Sequence, residues 1–151
     1  MADGEREIEH LLYTYADCID GGRLDELAAL FARGRIAPIP DAPPEAIHEG
    51  SDAVRGMYDG VRIYEDGTPK TKHVTTNAVI EVDETAGTAS SRSHYTVTQA
   101  TADLPLQIII TGHYDDTFHR IDGRWWFDTR VMYVDQMGDL SHHLTFTIPE
   151  S

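Results

Sequence analysis

The 151-residue chain has little cysteine and little positive charge, and both shortages limit what it can be. Cys18 is the only cysteine, so an intrachain disulfide is impossible, and its apolar helical surroundings favour inert packing over catalysis. The 12 basic and 26 acidic residues give a formal charge of −14, which repels nucleic acid and anionic membrane surfaces. We therefore expect a protein that binds neither nucleic acid nor membrane.

Long hydrophobic runs are also missing. No stretch approaches the length of a membrane span, and the first residues, MADGEREIEHLL, are acidic where a secretory leader would be basic. Together with the single cysteine, this predicts a protein of the reducing cytoplasm. The length suits one domain with a core around a modest cavity, and no internal repeat or linker is visible. We predict a single domain over residues 1–151, with its core at about 5–135 and a C-terminal extension at 136–151.

The first part of the chain carries helical signals. Apolar residues at helical spacing over 5–19 predict an amphipathic helix that stops at Asp20-Gly21-Gly22. A shorter helix is expected over about 24–31, and Ser51 offers an N-cap for a third. The segment 38–46 holds prolines that forbid a regular helix, which predicts a loop or sheet-edge crossing able to form a pocket lid.

The second half of the chain changes to the alternation of β-strands. Four long strands are predicted, at 71–82, from the turn at 83–87 to about 101, at 106–120 and at 125–135. Ile121-Asp122-Gly123-Arg124 is a hairpin signal. In the first strand, alternation places His73 with Val79 on one face and Val74 with Ile80 on the other. Helices followed by long strands favour an α+β fold, in which helices cap a curved antiparallel sheet and leave a cavity.

Asp20 and His73 are the first candidates for acid/base chemistry. Each also has a structural explanation: Asp20 could cap the second helix or bind backbone amides, and His73 could be a hydrogen-bonded histidine of a pocket wall. Their context favours the functional interpretation. The first helices contain YADCIDGGRLDEL, the first long strand begins TKHVTTN, and the last strand contains DGRWWFDTR.

At these segments the sequence resembles the SnoaL-like family, a branch of the superfamily named for nuclear transport factor 2, over roughly residues 5–135. The resemblance implies a cone-shaped α+β barrel, with N-terminal helices packed on a curved antiparallel sheet that encloses a pocket. In dehydratases and dehydrochlorinases of this family, an aspartate ending the first helix orients a histidine on the facing strand, and Asp20 and His73 match these positions. Tyr15 resembles a pocket tyrosine of bile-acid dehydratases, and Arg130 resembles a pocket arginine of dehydrochlorinases.

The sequence also departs from the family pattern. The dehydratases carry another tyrosine on the strand after the second helix, where this chain has Arg35-Ile36-Ala37-Pro38-Ile39; Tyr58 or Tyr114 could substitute for it. His94 lies a few residues from the place of a second histidine in scytalone dehydratases, and we do not assign that role to it. Tyr15 replaces the pocket lysine of the dehydrochlorinases, which argues against dehalogenation.

A histidine oriented by an aspartate can act without a metal or cofactor. The neutral imidazole of His73 would take a proton from a carbon acid through one nitrogen while the other donates to Asp20, and it could return that proton to a departing hydroxyl. Tyr15 would polarise a carbonyl or hydroxyl, and Arg130 would stabilise developing negative charge. An ideal helix puts Tyr15 and Asp20 about 140° apart, so they share a pocket only if the helix frays near Cys18 or if both flank its mouth.

Other polar and aromatic residues receive weaker assignments. A metal site is conceivable at His94, His113, His119 and Asp115. No tight ligand pair at helical spacing occurs among them, so we predict no metal. His142 and His143 are expected at the surface near a polar C-terminus. Most aromatic residues of the last strands are expected in the core or an interface, and Trp126, with Tyr58 and Tyr114, is a candidate for substrate contact.

These observations predict a cofactor-independent lyase or isomerase, preferably one that dehydrates a hydroxylated, cyclic, largely apolar small molecule. The family fold also serves as a ligand carrier and as an accessory subunit of ring-hydroxylating oxygenases, so a noncatalytic binding or assembly module is the first alternative. A polyketide-type cyclase and an epoxide hydrolase remain open, although the hydrolase needs water-positioning residues that we do not identify.

The sheet carries more apolar surface than three short helices can cover. Val74, Ile80, Ile108 and Ile110 are the residues that suggest this. The excess predicts a homo-oligomer, and the resemblance to the dehydratases favours a trimer over a dimer.

Overall fold

Three N-terminal helices pack on a curved sheet in the computed structural model, which describes residues 3–149. The helices are α1 (Gly4–Asp20), α2 (Leu24–Ala29) and α3 (Gly50–Met57). The strands are β1 (Arg35–Ala37), β2 (His48–Glu49), β3 (Thr71–Asp83), β4 (Thr88–Gln99), β5 (Gln107–Ile121) and β6 (Arg124–Met137). Short 3-10 turns lie at Pro44–Ala46 and Tyr58–Gly60. Within the described range, none of the helices has the length and apolar character to cross a membrane.

The strands form one sheet in the order β2-β1-β6-β5-β4-β3. Strands β3 to β6 are an antiparallel meander, while β1 runs parallel to β6 and makes that edge of the sheet mixed. Asp122 and Gly123 form the turn between β5 and β6 with φ of 52° and 79°, the left-handed values that a two-residue hairpin requires. The α+β fold, with helices on a curved sheet, is confirmed.

Helix α1 is amphipathic and covers the concave face of the sheet. At its start the Asp3 side chain accepts a hydrogen bond from the backbone N–H of Arg6 (3.1 Å), which satisfies a free helical donor. Its buried stripe includes Ile8, Leu12 and Ile19, which pack in the same core as residues of β4 to β6. The helix is regular to Asp20, so it does not fray near its end.

Strand β3 departs from the predicted alternation at Asn77. This residue has φ of 54°, and the register to β4 shifts there, as at a β-bulge. His73 lies on the concave face and Val74 is exposed on the outer face, but beyond the bulge Ile80 packs against the core and Val79 is exposed. The prediction that Ile80 shares a face with Val74 is therefore wrong, because the extra residue exchanges the two faces.

Two helix boundaries also differ from the prediction. Helix α2 ends at Ala29 instead of near residue 31. Helix α3 begins at Gly50, and its N-cap is Glu49, whose side chain makes no capping hydrogen bond; Ser51 lies inside the helix. The chain enters α3 at Gly50, whose φ of 84° is a left-handed value that favours glycine. The helix therefore starts at this glycine and not after Ser51.

The outer face of the sheet lies opposite the helices. Val74, Val79 and Ile108 are exposed there, beside polar side chains of β4 and β5. Ile110 is buried in the core, so it does not contribute to the exposed apolar surface as we expected.

Candidate functional site

The candidate site lies where the end of α1 meets the start of β3. The helix stops because Gly22 turns the chain with φ of 71°. Gly22 also packs against the backbone ahead of β3: an added Cβ would lie 1.8 Å from the carbonyl oxygen of Gly67. Any side chain here would push the two segments apart. The glycine therefore allows Asp20 to reach the first residues of β3.

Asp20 holds His73 through both oxygens of its carboxylate. Oδ1 lies 2.6 Å from Nδ1 of His73 and also accepts a hydrogen bond from the hydroxyl of Thr71 (2.9 Å). Oδ2 accepts from the backbone N–H of His73 (2.7 Å). An ionised carboxylate only accepts hydrogen bonds, so Nδ1 carries the proton, and in the neutral form of the ring Nε2 is left with a lone pair. This is the orientation that a histidine base requires.

The environment of Asp20 keeps its carboxylate ionised. Burial alone would raise its pKa, but hydrogen bonds from the ring and backbone of His73 and from Thr71, together with the positive charge of the ring when it is protonated, outweigh burial and lower the pKa below its ordinary value. The site is only partly closed, since the side chains of His73 and Asp20 are 8% and 21% exposed.

A groove of about 470 Å³ opens beside the pair, between α1 and β3. Its other lining residues are His10, Tyr13, Thr14, Ala16, Asp17, Lys72 and Thr75. These side chains are mostly polar. The groove gives solvent and small molecules access to Asp20 and His73 from the side of the molecule.

His143 belongs to the same region, and the prediction that it lies at the surface is wrong. The residue is 6% exposed, its ring centroid is 6.3 Å from that of His73, and its buried Nδ1 has no hydrogen-bond partner among the described residues. It is buried because the segment after β6 is held against the chain ahead of β3 and the end of β4: the backbone N–H of Arg62 donates to the carbonyl oxygen of His143, and Gln99 donates to that of His142. Burial first, and then the charge of His73, lower the pKa of His143 to about 4, so its ring is neutral at pH 7.

His143 should make the protein less stable in mild acid. Its pKa is about 4 when folded and near 6.5 when unfolded, so between these values only the unfolded chain binds the proton. Stability therefore falls as the pH drops from about 6.5 to 4, by about 3 kcal/mol in total. We expect His143→Gln to remove this part of the pH dependence, measured as urea unfolding at several pH values. His142→Gln is the control; an unchanged slope in His143→Gln would contradict the assignment.

The other predicted polar residues form a separate buried cluster in the barrel. The hydroxyls of Tyr15 and Tyr58 hydrogen-bond to each other, and the rings of Tyr15 and Tyr114 meet edge to face at 5.9 Å. The guanidinium carbon of Arg130 lies 3.6 Å from the ring centroid of Tyr114 and 4.3 Å from that of Tyr15. Burial raises the pKa of all three tyrosines, so they remain protonated donors.

Arg130 is paired with Asp116, a residue that the sequence analysis did not identify. Nε and Nη2 of Arg130 each donate to one carboxylate oxygen at 2.9 Å, and the two side chains are 1% and 0% exposed. Burial lowers the pKa of Arg130, but Asp116 outweighs burial and raises it, so the arginine is charged. Nη1 has no partner. Strand alternation could have revealed Asp116, because it lies between Tyr114 and Phe118 on the inner face of β5.

The structure thus places the predicted residues in two groups, with one outlier. Asp20 and His73 form one group; Tyr15 turns away from them along the regular helix and joins Tyr58, Tyr114 and Arg130. Trp126 is the outlier. It lies between the buried residues Trp125 and Phe127 on β6, hence on the outer face, and it stacks with Arg124.

The histidines considered for metal binding lie on the outer face of the sheet. His94 and His113 are cross-strand neighbours with ring centroids 5.8 Å apart, and His113 pairs with Asp135 at 3.0 Å. Across residues 3–149 no group of three or more histidine, cysteine or acidic side chains is arranged to hold a metal ion.

Comparison with solved structures supports the fold assignment. A protein of unknown function from Mycobacterium tuberculosis is 26% identical, with a TM-score of 0.68, over 87% of this chain and 71% of that chain. A candidate scytalone dehydratase from Novosphingobium aromaticivorans is 26% identical, with a TM-score of 0.69, over 89% of this chain and 86% of that chain. The β subunit of a candidate aromatic-ring-hydroxylating dioxygenase from the same organism is 19% identical, with a TM-score of 0.68, over 87% and 89% of the two chains.

Sequence comparison assigns the family. No curated protein is significantly similar to the chain. A sequence model described as the SnoaL-like domain, however, matches residues 2–131, which include α1, β3 and nearly all of the inner face of the sheet. The expected resemblance is confirmed, and the chain belongs to the SnoaL-like domain family.

Proposed function

We propose that the protein is a cofactor-independent lyase that dehydrates a hydroxylated cyclic ketone, with His73 as the base and Asp20 as the residue that orients it. The contact between Asp20 Oδ1 and His73 Nδ1, at 2.6 Å, carries this proposal. A purely structural aspartate at a helix end needs only backbone donors. Here the carboxylate also selects the histidine tautomer that leaves Nε2 free to accept a proton.

In the proposed reaction His73 first accepts a proton and later donates it. Nε2 of His73 removes a proton from the carbon next to the ketone, and the electron pair of the C–H bond moves onto the carbonyl oxygen. The bond to the β-hydroxyl then breaks, and His73 returns its proton to that leaving group as water. Asp20 stabilises the imidazolium between the two steps, because it is ionised and hydrogen-bonded to the ring.

The similarity to the candidate scytalone dehydratase supports this class of reaction. We therefore propose 3-hydroxycyclohexanone and 3-hydroxy-1-tetralone as first probes, because both carry the hydroxyl β to a ring ketone. Loss of water from the second yields 1-naphthol, which is followed by fluorescence.

Asp20→Asn tests the orienting role. The asparagine amide can donate to Nδ1, which stabilises the opposite tautomer and protonates the Nε2 that must act as base. We expect kcat on the tetralone probe to fall about 10²–10⁴-fold, as for other misoriented catalytic histidines. Asp135→Asn is the matched control, because Asp135 pairs with His113 on the outer face. Equal activity of the two variants would refute the proposed pair.

A noncatalytic assembly module is the second candidate. The observation that favours it is the buried cluster: Arg130 is bound by Asp116 and packed against Tyr15 and Tyr114, so the barrel interior beside it is filled with side chains. The fold likeness to an oxygenase β subunit is compatible with this function. Absence of turnover and of α-proton exchange in D₂O for both probes would favour the assembly module over the lyase.

The chain is also proposed to form a homo-oligomer, with a trimer expected, through the outer face of the sheet. Val74, Val79 and Ile108 expose apolar surface there, and the helices lie on the other side. We expect Ile108→Glu to convert the oligomer to a monomer, because a buried unpaired charge is costly. Light scattering coupled to size-exclusion chromatography measures the mass. Ile63→Glu, at an exposed residue outside the sheet, should leave it unchanged; a monomeric wild type would contradict the expectation.

A further inference from the structure

The C-terminal turn that carries His143 is bound to the rest of the chain through Arg62 and Gln99. The backbone N–H of Arg62 donates to the carbonyl oxygen of His143 (2.7 Å), and the backbone N–H of His143 donates to that of Leu140 (3.0 Å). The side-chain amide of Gln99 bridges the carbonyl oxygens of His142 and Pro69, each at 3.0 Å. Because Pro69 leads directly into β3, the turn is held to the same segment that positions His73.

None of these backbone contacts uses the ring of His143. Within residues 3–149 its Nδ1 makes no hydrogen bond, although the residue is buried. A buried polar nitrogen without a partner is unfavourable, and a catalytic role or a bound group is one explanation for keeping it. The ring lies 6.3 Å from His73, centroid to centroid and inclined by 64°. Two imidazoles at this separation can contact neighbouring atoms of one small molecule.

We propose that His143 is a second catalytic residue, a neutral imidazole that donates a hydrogen bond to the carbonyl oxygen of the substrate while His73 removes the adjacent proton. This inference rests on the proposed lyase function and adds to it the group that receives the developing negative charge. It also specifies the ligand class: a ring ketone whose oxygen reaches His143 when its α-carbon reaches His73.

The charges around the two rings are compatible with this division of work. Asp20 stabilises a positive charge on His73, to which it is directly bonded. Within residues 3–149 no carboxylate is hydrogen-bonded to His143; the charge of Asp20 raises the pKa of its ring, but burial and a charged His73 outweigh this effect and lower the pKa. His143 therefore remains neutral during the reaction and acts as a donor. Neutral histidines with lowered pKa polarise carbonyl groups in this way in other enzymes.

The proton balance of the reaction is unchanged by His143. The C–H proton moves to His73, and the electron pair moves to the carbonyl oxygen, where the N–H of His143 stabilises it by a hydrogen bond. When the β-hydroxyl leaves, the electron pair returns to form the carbon–carbon double bond and the proton of His73 leaves in water. His143 begins and ends as the same neutral ring.

Kinetics of three variants on 3-hydroxy-1-tetralone test the role of His143. We expect His143→Leu to lower kcat about 10²–10³-fold with little change in KM, because the lost bond strengthens only as negative charge develops. His143→Gln should recover part of kcat, since its amide N–H can replace the imidazole donor. His142→Gln is the matched control, because this neighbouring histidine keeps its backbone contacts and has a more exposed side chain. Its kcat should equal that of the wild type.

The outcomes separate this inference from the proposed function. The thermal transition of His143→Leu shows whether this variant is folded. If the wild type converts the probe and the folded variant is equally active, the role of His143 is refuted and the lyase proposal stands. If His143→Gln loses as much activity as His143→Leu, the role of His143 as a hydrogen-bond donor is refuted. If the wild type does not convert the probe, the lyase proposal fails. ¹⁵N NMR of the histidine rings then decides the binding role: 1-tetralone should shift the resonances of His143 and tetralin, which lacks the oxygen, should not. Equal shifts, or no shift, would overturn it.

Discussion

Arg130→Ala is expected to destabilise the protein by about 3–5 kcal/mol, because it leaves the carboxylate of Asp116 buried without its partner. The variant also removes the guanidinium from the rings of Tyr15 and Tyr114. Asp116→Ala should destabilise the protein by a similar amount, since it leaves the guanidinium of Arg130 buried without its carboxylate. Urea unfolding followed by tryptophan fluorescence measures both effects as shifts of the midpoint at constant slope.

The double variant Arg130→Met with Asp116→Leu separates the pair from its packing. Removing both charges and replacing them by apolar groups of similar volume should give a protein more stable than either single variant. Arg92→Ala is the matched control, because Arg92 binds Asp115 with the same two-bond geometry, at 2.8 and 3.0 Å, on the exposed face. It should cost no more than about 1 kcal/mol. A cost of 3 kcal/mol at Arg92, or about 1 at Arg130, would show that burial does not set the strength of these pairs.

His73→Ala should lower kcat on the tetralone probe about 10²–10⁴-fold, as much as Asp20→Asn, because the variant lacks the imidazole that accepts the proton. Added imidazole should restore part of the rate at neutral pH, since it can enter from the groove between α1 and β3 and replace the missing ring. His94→Ala, on the outer face, should retain full activity. The fluorescence of the product 1-naphthol, followed over time, gives the rates of the wild type, His73→Ala and His94→Ala.

The result for His73→Ala also has a structural control. Asp20 still accepts hydrogen bonds from Thr71 and from the backbone N–H of residue 73 in this variant, so the end of α1 should remain attached to β3. A loss of activity with an unchanged unfolding midpoint indicates a chemical role. Full activity of the folded variant would exclude His73 as the base.

Local patterns predict the main helices and strands, whereas the pairing of Asp20 with His73 is predicted by the family resemblance. The spacing of apolar residues predicts α1, the Asp-Gly turn predicts the β5–β6 hairpin, and family resemblance brings Asp20 and His73 together. Asp20 is positioned by the end of α1 and His73 by the start of β3, and both elements are predicted from local patterns. Only the contact between these two elements had to come from the family resemblance.

The remaining features depend on contacts that no local pattern contains. His143 lies in a short segment without helical or strand periodicity, and only its anchoring by Arg62 and Gln99 makes it buried. The bulge at Asn77 interrupts a strand whose alternation looks continuous, so the faces beyond it were exchanged. Trp126 was placed in the pocket by its aromatic character, whereas its position between two buried neighbours decides the face.

The bulge at Asn77 also affects how the protein avoids aggregation. Strand β3 is an edge of the sheet, so one row of its backbone N–H and C=O groups has no neighbouring strand to bind. The left-handed residue Asn77 bends this edge and interrupts its regular spacing, which prevents another chain from adding as a straight strand. This leaves the outer face of the sheet, and not its edge, for the proposed contact between copies. Strand β3, which carries His73, can thus lie beside an open groove without pairing with a strand of another chain.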